Sequence, residues 1–451
     1  MSNLVRKIAS VVLAAFSLAP TIHARAAERP YSVDHYFVQI EPDLQGKSLT
    51  GSVLIELTEH LPDQRIIELD RGELSVKSVT LGGRSQPFTL EPGHLLIHLE
   101  RAPRSGEHLG VRIEYGGVPR FGLEFPPGEA QLYTIFSTSQ WLICNDIPSD
   151  KATVDLRLVL PAKLTVIANG TRVRQRTRPD GKQVSDWHEP HAIPTYAFGF
   201  AAGPFAQVVA DHGRLKFLGD GFSKAQLLQI FRDTADMRKF FEQRSGVSYP
   251  GATYSQALVA DTVGQELGEF SLLSREYGQS VLADPQALGL IAHEFAHQWW
   301  GNRVTCRDWT QFWLNEGFAT FMSAAYLESR FGHQAYLDAI EKSHARYAAV
   351  QATGADHALV FDDWNHPTAD DRTIVYHKGA YVLYLLREEL GERAFWNGIQ
   401  AYTREYLDKS VTTADFKSAM ERSSQRDLSE FFRTWVYGSG GPGAAALIKP
   451  T

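Results

Sequence analysis

The stretch "HEFAH" begins at His293 and has a spacing that suits metal chemistry. On a helix, His293 and His297 lie one turn apart on the same face, so both imidazoles can reach one ion. Glu294 lies about 100° round the helix from His293, which places its carboxylate beside the metal rather than on it. There it can take a proton from a water that the metal activates. The competing interpretation is a polar helix stripe that binds no metal.

A third ligand follows in "WLNEGFATF", where eighteen residues separate His297 from Glu316. Two imidazoles and one carboxylate leave a fourth position open on a tetrahedral zinc, which is typical of catalytic rather than structural sites. Glu316 is also suited to capping the start of its own helix. Because the ligand set matches a catalytic site, we expect one Zn²⁺ per chain, bound by His293, His297 and Glu316.

Two helices must position these ligands. Asp284 can cap the first and Pro285 suits its first position, so we expect a helix through "QALGLIAHEFAHQWW" that ends at Gly301. The apolar run "FATFMSAAYLESRF" predicts a second helix, packed against the first. Asn315 can either orient the neighbouring Glu316 or serve the structure of the helix start.

From Tyr31 to about Val209 the chain alternates apolar and polar residues in short segments. Examples are "YFVQIEP", "GSVLIELTE", "QRIIELD", "HLLIHLE" and "LGVRIEYGG". Turn residues separate them at intervals of about ten, which is typical of all-β domains. After Gly221 the period becomes helical: Ser223 can cap a helix through "KAQLLQIFRDTADMRKFFEQR" that stops at Gly246, and "TYSQALVAD" follows as a strand.

These patterns predict an α+β multidomain protein. Its 451 residues exceed what one compact domain usually holds. We expect an N-terminal all-β, sandwich-like domain over residues 27–210 and a mostly helical catalytic domain over residues 211–442. The Gly-rich remainder, residues 443–451, is expected to be loosely ordered.

The overall composition narrows the class of protein. With 43% hydrophobic and 22% charged residues, the chain is typical of a globular protein and not of a disordered one. A net charge of −7, without long runs of like charge, gives no indication of nucleic acid or an anionic membrane as a partner. Two cysteines, Cys144 and Cys306, exclude a disulfide framework; a single bridge is possible, but two buried free thiols are favoured.

The N-terminus has the pattern of a secretory signal. Arg6 and Lys7 precede a short apolar stretch over residues 8–20, and Ala24-Arg25-Ala26 fits the small-x-small cleavage rule. The mature chain is therefore expected to start near Ala27 and to be periplasmic or secreted, with no stable membrane insertion. The alternative is a retained membrane anchor, which the short apolar stretch disfavours.

Beyond these motifs the chain resembles a known family. "HEFAHQWWGNRVT…WLNEGFA" is similar to the zinc signature of the gluzincin aminopeptidases, the family of aminopeptidase N and leukotriene hydrolase. Residues 141–170 resemble a stretch of that family's N-terminal β domain, with Ile143 where proline is usual. Residues 412–442 resemble the end of its thermolysin-like domain. The resemblance covers roughly residues 30–442, and the large C-terminal helical domain of many members is not matched.

The resemblance implies a role for Tyr376 in "VYHKGAYVLYLL". In the family, a tyrosine before x-Lys-Gly stabilises the oxyanion of the tetrahedral intermediate. A phenol O–H near the metal can donate to the charge that develops there, which usually contributes strongly to rate. An ordinary tyrosine at a helix start is the alternative.

One element departs from the family pattern. The family carries a Gly-x-Met-Glu-Asn loop whose glutamate binds the free α-amine of the substrate, whereas this chain has "GQELGEFSLLS". Glu269 precedes His293 by twenty-four residues, which suits that role, and Glu266 is the competing candidate. A carboxylate there would pair with an ammonium group. A solvated loop carboxylate is the alternative.

Together these features predict an exported zinc aminopeptidase that hydrolyses peptide bonds near the N-terminus of peptides by metal-activated water. The nearest alternative is a zinc metallopeptidase without a strict free-amine requirement, because the amine-binding loop is altered. A non-catalytic peptide-binding protein on the same scaffold is the alternative from another class. The complete set of His293, His297, Glu316, Glu294 and Tyr376 argues against it.

Overall fold

The computed structural model describes residues 29–262, 264–361 and 367–439. The expected signal peptide (1–26) and tail (443–451) lie outside the described residues. The chain divides into two compact units: a β unit of Ala26–Phe231 and Gly251–Ala283, and a helical unit that includes Arg232–Pro250 and Asp284–Thr451. The domain boundary near residue 210 stays a prediction, since these units are defined by contacts and not by chain order.

The β unit contains four sheets in its described part. Their orders are β13-β14-β11-β1-β2-β8-β4-β5, β12-β15-β10-β9, β16-β17-β18-β20-β19 and β3-β7-β6. The strands are β1 (Tyr31–Asp43), β2 (Ser48–Glu59), β3 (Ile66–Gly72), β4 (Ser75–Leu81), β5 (Arg84–Ser85), β6 (Phe88–Glu91), β7 (Gly93–His98), β8 (His108–Gly117), β9 (Leu123–Glu124), β10 (Leu132–Thr134), β11 (Lys151–Pro161), β12 (Thr165–Ala168), β13 (Thr171–Thr177), β14 (Lys182–Pro194), β15 (Phe200–Gly203), β16 (Ala206–Ala210), β17 (Leu215–Gly219), β18 (Tyr254–Val259), β19 (Gly264–Leu267) and β20 (Phe270–Ser274).

The largest sheet follows from the period-two pattern of its strands. Tyr36 and Val38 of β1 are buried, and their cross-strand partners Ile55 and Val53 of β2 are buried with them. Because successive side chains point to opposite faces, this register places one apolar face on the core. The predicted strands of the N-terminal half are confirmed.

A second core unites the four-stranded and five-stranded sheets. Tyr133 and Ile167 of the former form one buried cluster with Leu218, Ala257 and Leu272 of the latter. The segment "TYSQALVAD" forms β18, which is buried along its length and pairs in parallel with β17 and β20. The predicted β-rich N-terminal part is confirmed, but β17 to β20 lie beyond residue 210, within the stretch predicted to be mostly helical.

The helices account for most of the helical unit, which also contains the strands β21 (Thr305–Cys306) and β22 (Ser410–Val411). In the described ranges, no helix is long and apolar enough to cross a membrane. The helices in chain order are α1 (Lys224–Ile230), α2 (Thr234–Ser245), α3 (Arg275–Ala283), α4 (Gly289–Ala296), α5 (Trp313–Phe331), α6 (His333–Thr353), α7 (Ala369–Thr373), α8 (Gly379–Leu390), α9 (Glu392–Glu405), α10 (Thr413–Ser424) and α11 (Ser429–Trp435). Of these, α1 and α3 belong to the β unit.

The prediction of one continuous helix between Ser223 and Gly246 is wrong. Ser223 caps α1 as expected and Gly246 ends α2 in the left-handed conformation, but the chain breaks between the two helices. Phe231 stacks on Phe217 within the β unit, whereas Asp233 accepts a 3.0 Å hydrogen bond from Arg330 within the helical unit. The break is where the chain passes from one unit to the other.

A close crossing of α5 and α8 shapes the helical unit. A Cβ added to Gly317 would lie 2.9 Å from the Cα of Gly379, and the same holds in reverse. Only glycine fits at such a distance, so both positions exclude side chains. The crossing places the start of α8 directly beside the first turns of α5.

Both cysteines are buried and free. Cys144 lies in the β unit and Cys306 in the helical unit. The expectation of two free thiols is confirmed.

Candidate metal centre

The helix that carries the two histidines is shorter than predicted. It begins at Gly289 and ends at Ala296, with His297 as its C-cap. Asp284 accepts hydrogen bonds from the backbone N–H groups of Gln286 and Ala287, so it caps a separate turn and not the helix itself. After His297 the chain continues as tight turns. The i, i+4 relation between the histidines survives because both lie within the last helical turn.

The three predicted ligands converge on one point. Nε2 of His293 lies 3.2 Å from Nε2 of His297 and 3.2 Å from Oε2 of Glu316. Nε2 of His297 lies 3.4 Å from the same carboxylate oxygen. Three atoms bound at about 2.0–2.2 Å to one tetrahedral zinc are themselves about 3.3–3.5 Å apart. The residues present therefore fit Zn²⁺.

The protonation states of His293 and Glu316 also suit the binding of a metal cation. Burial lowers the pKa of His293 below its ordinary value. Burial alone would raise the pKa of Glu316, but its contacts with His297 and His293 outweigh burial and lower that pKa below its ordinary value. A carboxylate and a neutral imidazole are the forms that bind a metal.

Two further groups orient the imidazoles, and the sequence pattern did not indicate them. Nδ1 of His297 lies 3.0 Å from the carbonyl oxygen of Trp300. A carbonyl only accepts, so Nδ1 carries the proton and Nε2 keeps its lone pair for the metal. Nδ1 of His293 lies 3.4 Å from Oγ1 of Thr320. The sequence could have indicated Thr320 as a neighbour of the metal ligands, because it lies one helical turn after Glu316 on α5.

Tyr376 lies next to the predicted metal ligand His293. Its ring stacks on that of His293, with centroids 5.9 Å apart and planes inclined by 11°. Tyr376 lies in a π-helix over Ile374–Lys378 that leads into α8, and not at an ordinary helix start. Glu294 lies beside His293 on α4 and is buried.

Asn315 has a structural contact. It is fully buried on α5, and its Oδ1 accepts a 3.0 Å hydrogen bond from the backbone N–H of Cys306. This bond ties strand β21 to the first turn of α5. Of the two roles expected for Asn315, the structure supports the one at the helix start.

The two candidates for amine binding, Glu266 and Glu269, lie in the β unit. Glu266 is buried on the edge strand β19, and its Oε2 accepts a 2.8 Å hydrogen bond from Nε2 of Gln265. Glu269 occupies the turn between β19 and β20 with a φ of 65°, a conformation that non-glycine residues adopt rarely. Such conformations recur at functional sites.

A second histidine–carboxylate group surrounds Glu269. Glu189, His191 and Glu269 each have a potential ligand atom within 4.8 Å of the others. The backbone N–H of His191 donates to Oε1 of Glu189 at 2.9 Å, and Nδ1 of His191 lies 3.0 Å from the same oxygen. His191 is thus hydrogen-bonded to Glu189, and its Nδ1 lies 3.7 Å from Oε1 of Glu269, which is an ion-pair distance and not a hydrogen bond.

Comparison with known proteins agrees with this geometry. The model of the peptidase family M1 domain matches residues 237–435, which include every candidate ligand. The model of the peptidase M1 N-terminal domain matches residues 32–197. The chain belongs to peptidase family M1. Residues 198–236 lie between the two matches.

Curated relatives of this M1 chain carry aminopeptidase names. Aminopeptidase M1 of Arabidopsis thaliana is 26% identical over 92% of this chain and 51% of its own length. Aminopeptidase N of Lactococcus lactis subsp. lactis is 27% identical over 92% of this chain and 52% of its own length. The chain thus spans about half the length of these relatives.

Solved structures share the fold of this M1 chain. The M1 zinc metallopeptidase of Deinococcus radiodurans matches with a TM-score of 0.75 at 22% identity, covering 96% of this chain and 99% of that one. Yeast LTA4 hydrolase matches with a TM-score of 0.80 at 20% identity, covering 94% and 69%. The predicted order of a β-rich N-terminal part before a helical catalytic part is confirmed.

Proposed function

We propose that this chain is a zinc-dependent aminopeptidase that hydrolyses peptide bonds near the N-terminus of peptides. The observation that carries the proposal is the convergence of His293, His297 and Glu316 on one point, with Tyr376 stacked beside it. Glu294 lies next to His293 on α4, where the motif requires a base. Family membership and the names of the curated relatives support the same reaction.

Each side chain has a part in the proposed hydrolysis. His293, His297 and Glu316 would hold zinc, which when bound polarises the scissile carbonyl and makes water a stronger nucleophile. Glu294 takes a proton from the attacking water and returns it to the leaving amine. The phenol of Tyr376 donates to the oxyanion as charge develops there.

We also propose that a carboxylate of the β19–β20 hairpin binds the free α-amine of the substrate. Glu269 is the first candidate, because of its distance along the chain from His293 and its unusual backbone conformation. Glu266, three residues earlier, is the competing candidate. If neither binds the amine, the chain is a zinc metallopeptidase without a strict free-amine requirement.

Peptide digestion tests the aminopeptidase assignment and the role of Glu269 together. An ammonium–carboxylate bond contributes about 1.5–3 kcal/mol, so Glu269→Ala should lower kcat/KM on free-amine peptides roughly ten- to a hundredfold. N-acetylated peptides lack the cation, so they should be poor substrates for the wild type and little affected by Glu269→Ala. The products are mapped by mass spectrometry of their new ends.

Glu266→Ala is the matched control, since it removes the same group from the same hairpin. It should affect both peptide classes less than Glu269→Ala. A selective loss with Glu266→Ala would transfer the amine role to Glu266. Equal cleavage of free and acetylated peptides by the wild type would refute the aminopeptidase assignment.

We further propose that the protein is exported and processed near Ala27. The charged start, the short apolar stretch and the small residues at the cleavage point motivate this. N-terminal sequencing of the native protein should return a residue near Ala27, and a sequence starting at Met1 or Ser2 would contradict the proposal.

A further inference from the structure

The π-helix that carries Tyr376 is anchored by His377 and Lys378, the two residues that follow Tyr376. π-helical turns are rare and frequently occur at functional sites, since the wide turn is maintained only where surrounding contacts favour it. His377 points to α6, and Lys378 points to a cage of carbonyl and carboxylate oxygens. Tyr376 itself stacks on His293. The three consecutive side chains therefore have three different sets of neighbours.

His377 is held by two residues of α6. Its Nε2 lies 2.7 Å from Nη1 of Arg346, and its Nδ1 lies 3.3 Å from Oγ of Ser343. A guanidinium only donates, so Nε2 must accept and the ring proton sits on Nδ1, facing Ser343. Burial, followed by the charges of Arg346 and His293, lowers the pKa of His377 to about 3. The ring thus stays neutral at ordinary pH and keeps both hydrogen bonds.

Lys378 is fully buried and fixes the other side of the turn. Its Nζ donates to Oδ1 of Asp356 at 3.0 Å and to the carbonyl oxygen of Gly438 at 3.1 Å. It also donates to the carbonyl oxygen of His357. Lys378 therefore fixes the C-terminal end of the π-helix. His377, the residue directly after Tyr376, ties the same turn to α6 through Arg346 and Ser343.

We infer that His377 is a positioning residue for Tyr376, a role that rests on the proposed peptidase function. Tyr376 and His377 are adjacent, so a shift of the His377 ring against α6 moves the backbone from which the phenol projects. A misplacement of about 1 Å can cost as much as 10²-fold in rate when a group acts in the transition state. His377 exerts this effect through Tyr376 and not by contact with substrate.

A double-mutant cycle tests the inference. Tyr376→Phe should lower kcat by roughly 10²-fold, the order expected for loss of one oxyanion donor. His377→Leu should lower kcat by about tenfold and change KM less than about twofold, because the phenol acts where charge develops. Since His377 acts only through Tyr376, adding His377→Leu to Tyr376→Phe should cause no further loss. His377→Gln, which keeps an oxygen for Arg346, should recover part of the loss.

A spectroscopic readout makes the test independent of turnover. With 3-fluorotyrosine at the seventeen tyrosines, the ¹⁹F signal of Tyr376 is the one missing from Tyr376→Phe. His377→Leu should shift or split that signal. His344→Leu is the matched control: His344 also joins α6 to α8, but through stacking on Tyr381 at 4.5 Å and not through the residue next to Tyr376. It should leave both the signal and kcat unchanged.

The outcomes separate the inference from the proposed function. A wild type that hydrolyses no peptide refutes the proposed function, and the ¹⁹F signal then still decides whether His377 positions Tyr376. An unchanged Tyr376 signal in His377→Leu overturns the inference. Losses that multiply in the double variant overturn it as well, because they would mean that His377 acts independently of Tyr376. Equal effects of His344→Leu and His377→Leu would overturn the inference too, because they would indicate general loosening of the α6–α8 packing.

Discussion

Glu294→Gln is expected to keep the metal and to lose turnover by about 10²–10⁴-fold, the contribution typical of a general base. The amide has the shape of the carboxylate but cannot accept a proton from water at neutral pH. Glu294 is buried on α4 next to His293, and the converging ligand atoms come from His293, His297 and Glu316 instead. Metal binding should therefore survive the change.

Zinc content and kcat measured on the same preparation check this expectation. Glu242→Gln is the matched control, because it makes the same chemical change at a glutamate of α2. That glutamate accepts a 3.0 Å hydrogen bond from the backbone N–H of Tyr249. The control should leave kcat unchanged. A loss below about tenfold, with zinc retained, would remove Glu294 from the base role. Loss of zinc from Glu294→Gln would make it a contributor to the metal site.

The ligands were predictable from the sequence because their geometry is local. His293 and His297 are related by one helical turn, and that relation holds even though α4 begins four residues later than Pro285 suggests. The shortened helix reflects competition within the first turn: Asp284 caps the turn of Gln286 and Ala287 instead. Local propensity indicated a helix, and the tertiary structure set its ends.

The groups that orient the ligands were not predictable because they depend on backbone geometry beyond the helix. The carbonyl oxygen of Trp300 reaches His297 only because the chain leaves α4 in tight turns. Likewise, a π-helix has no recognised residue pattern, so "VYHKG" does not indicate the turn that places Tyr376 beside His293. The crossing of Gly317 and Gly379 brings that turn to α5, and it joins residues far apart in the chain.

The surroundings of Glu269 in the β unit were not predictable from the sequence either. Glu189 and His191 lie on β14, almost eighty residues before the β19–β20 hairpin, and no local period connects them. β14 belongs to the eight-stranded sheet and the β19–β20 hairpin to the five-stranded sheet, so only the tertiary arrangement of two separate sheets brings the three side chains together. The sequence identified Glu269 by its distance from His293, but it gave no indication that Glu189 and His191 lie close to it.

Glu316→Ala is expected to abolish both tight zinc binding and peptide hydrolysis. Removing a group that only orients a ligand typically costs about 10–100-fold in metal affinity, so removing a direct ligand should cost more than about 10²-fold. The change leaves two imidazoles whose Nε2 atoms are 3.2 Å apart, with no anion between them to complete the site. This result would distinguish a ligand from a helix cap, the other role open to a glutamate at this position.

A capping role predicts a different result. Loss of a cap costs about 0.5–2 kcal/mol of stability and leaves the metal in place. Asp308→Ala provides that comparison, because Asp308 caps the turn just before α5 by accepting a 3.0 Å hydrogen bond from the backbone N–H of Thr310. It should lower the Tm and retain about one zinc per chain. Elemental analysis after dialysis, together with thermal unfolding, separates the two cases. If Glu316→Ala retained zinc as well as Asp308→Ala does, the carboxylate would be a cap and the metal site would need another third ligand.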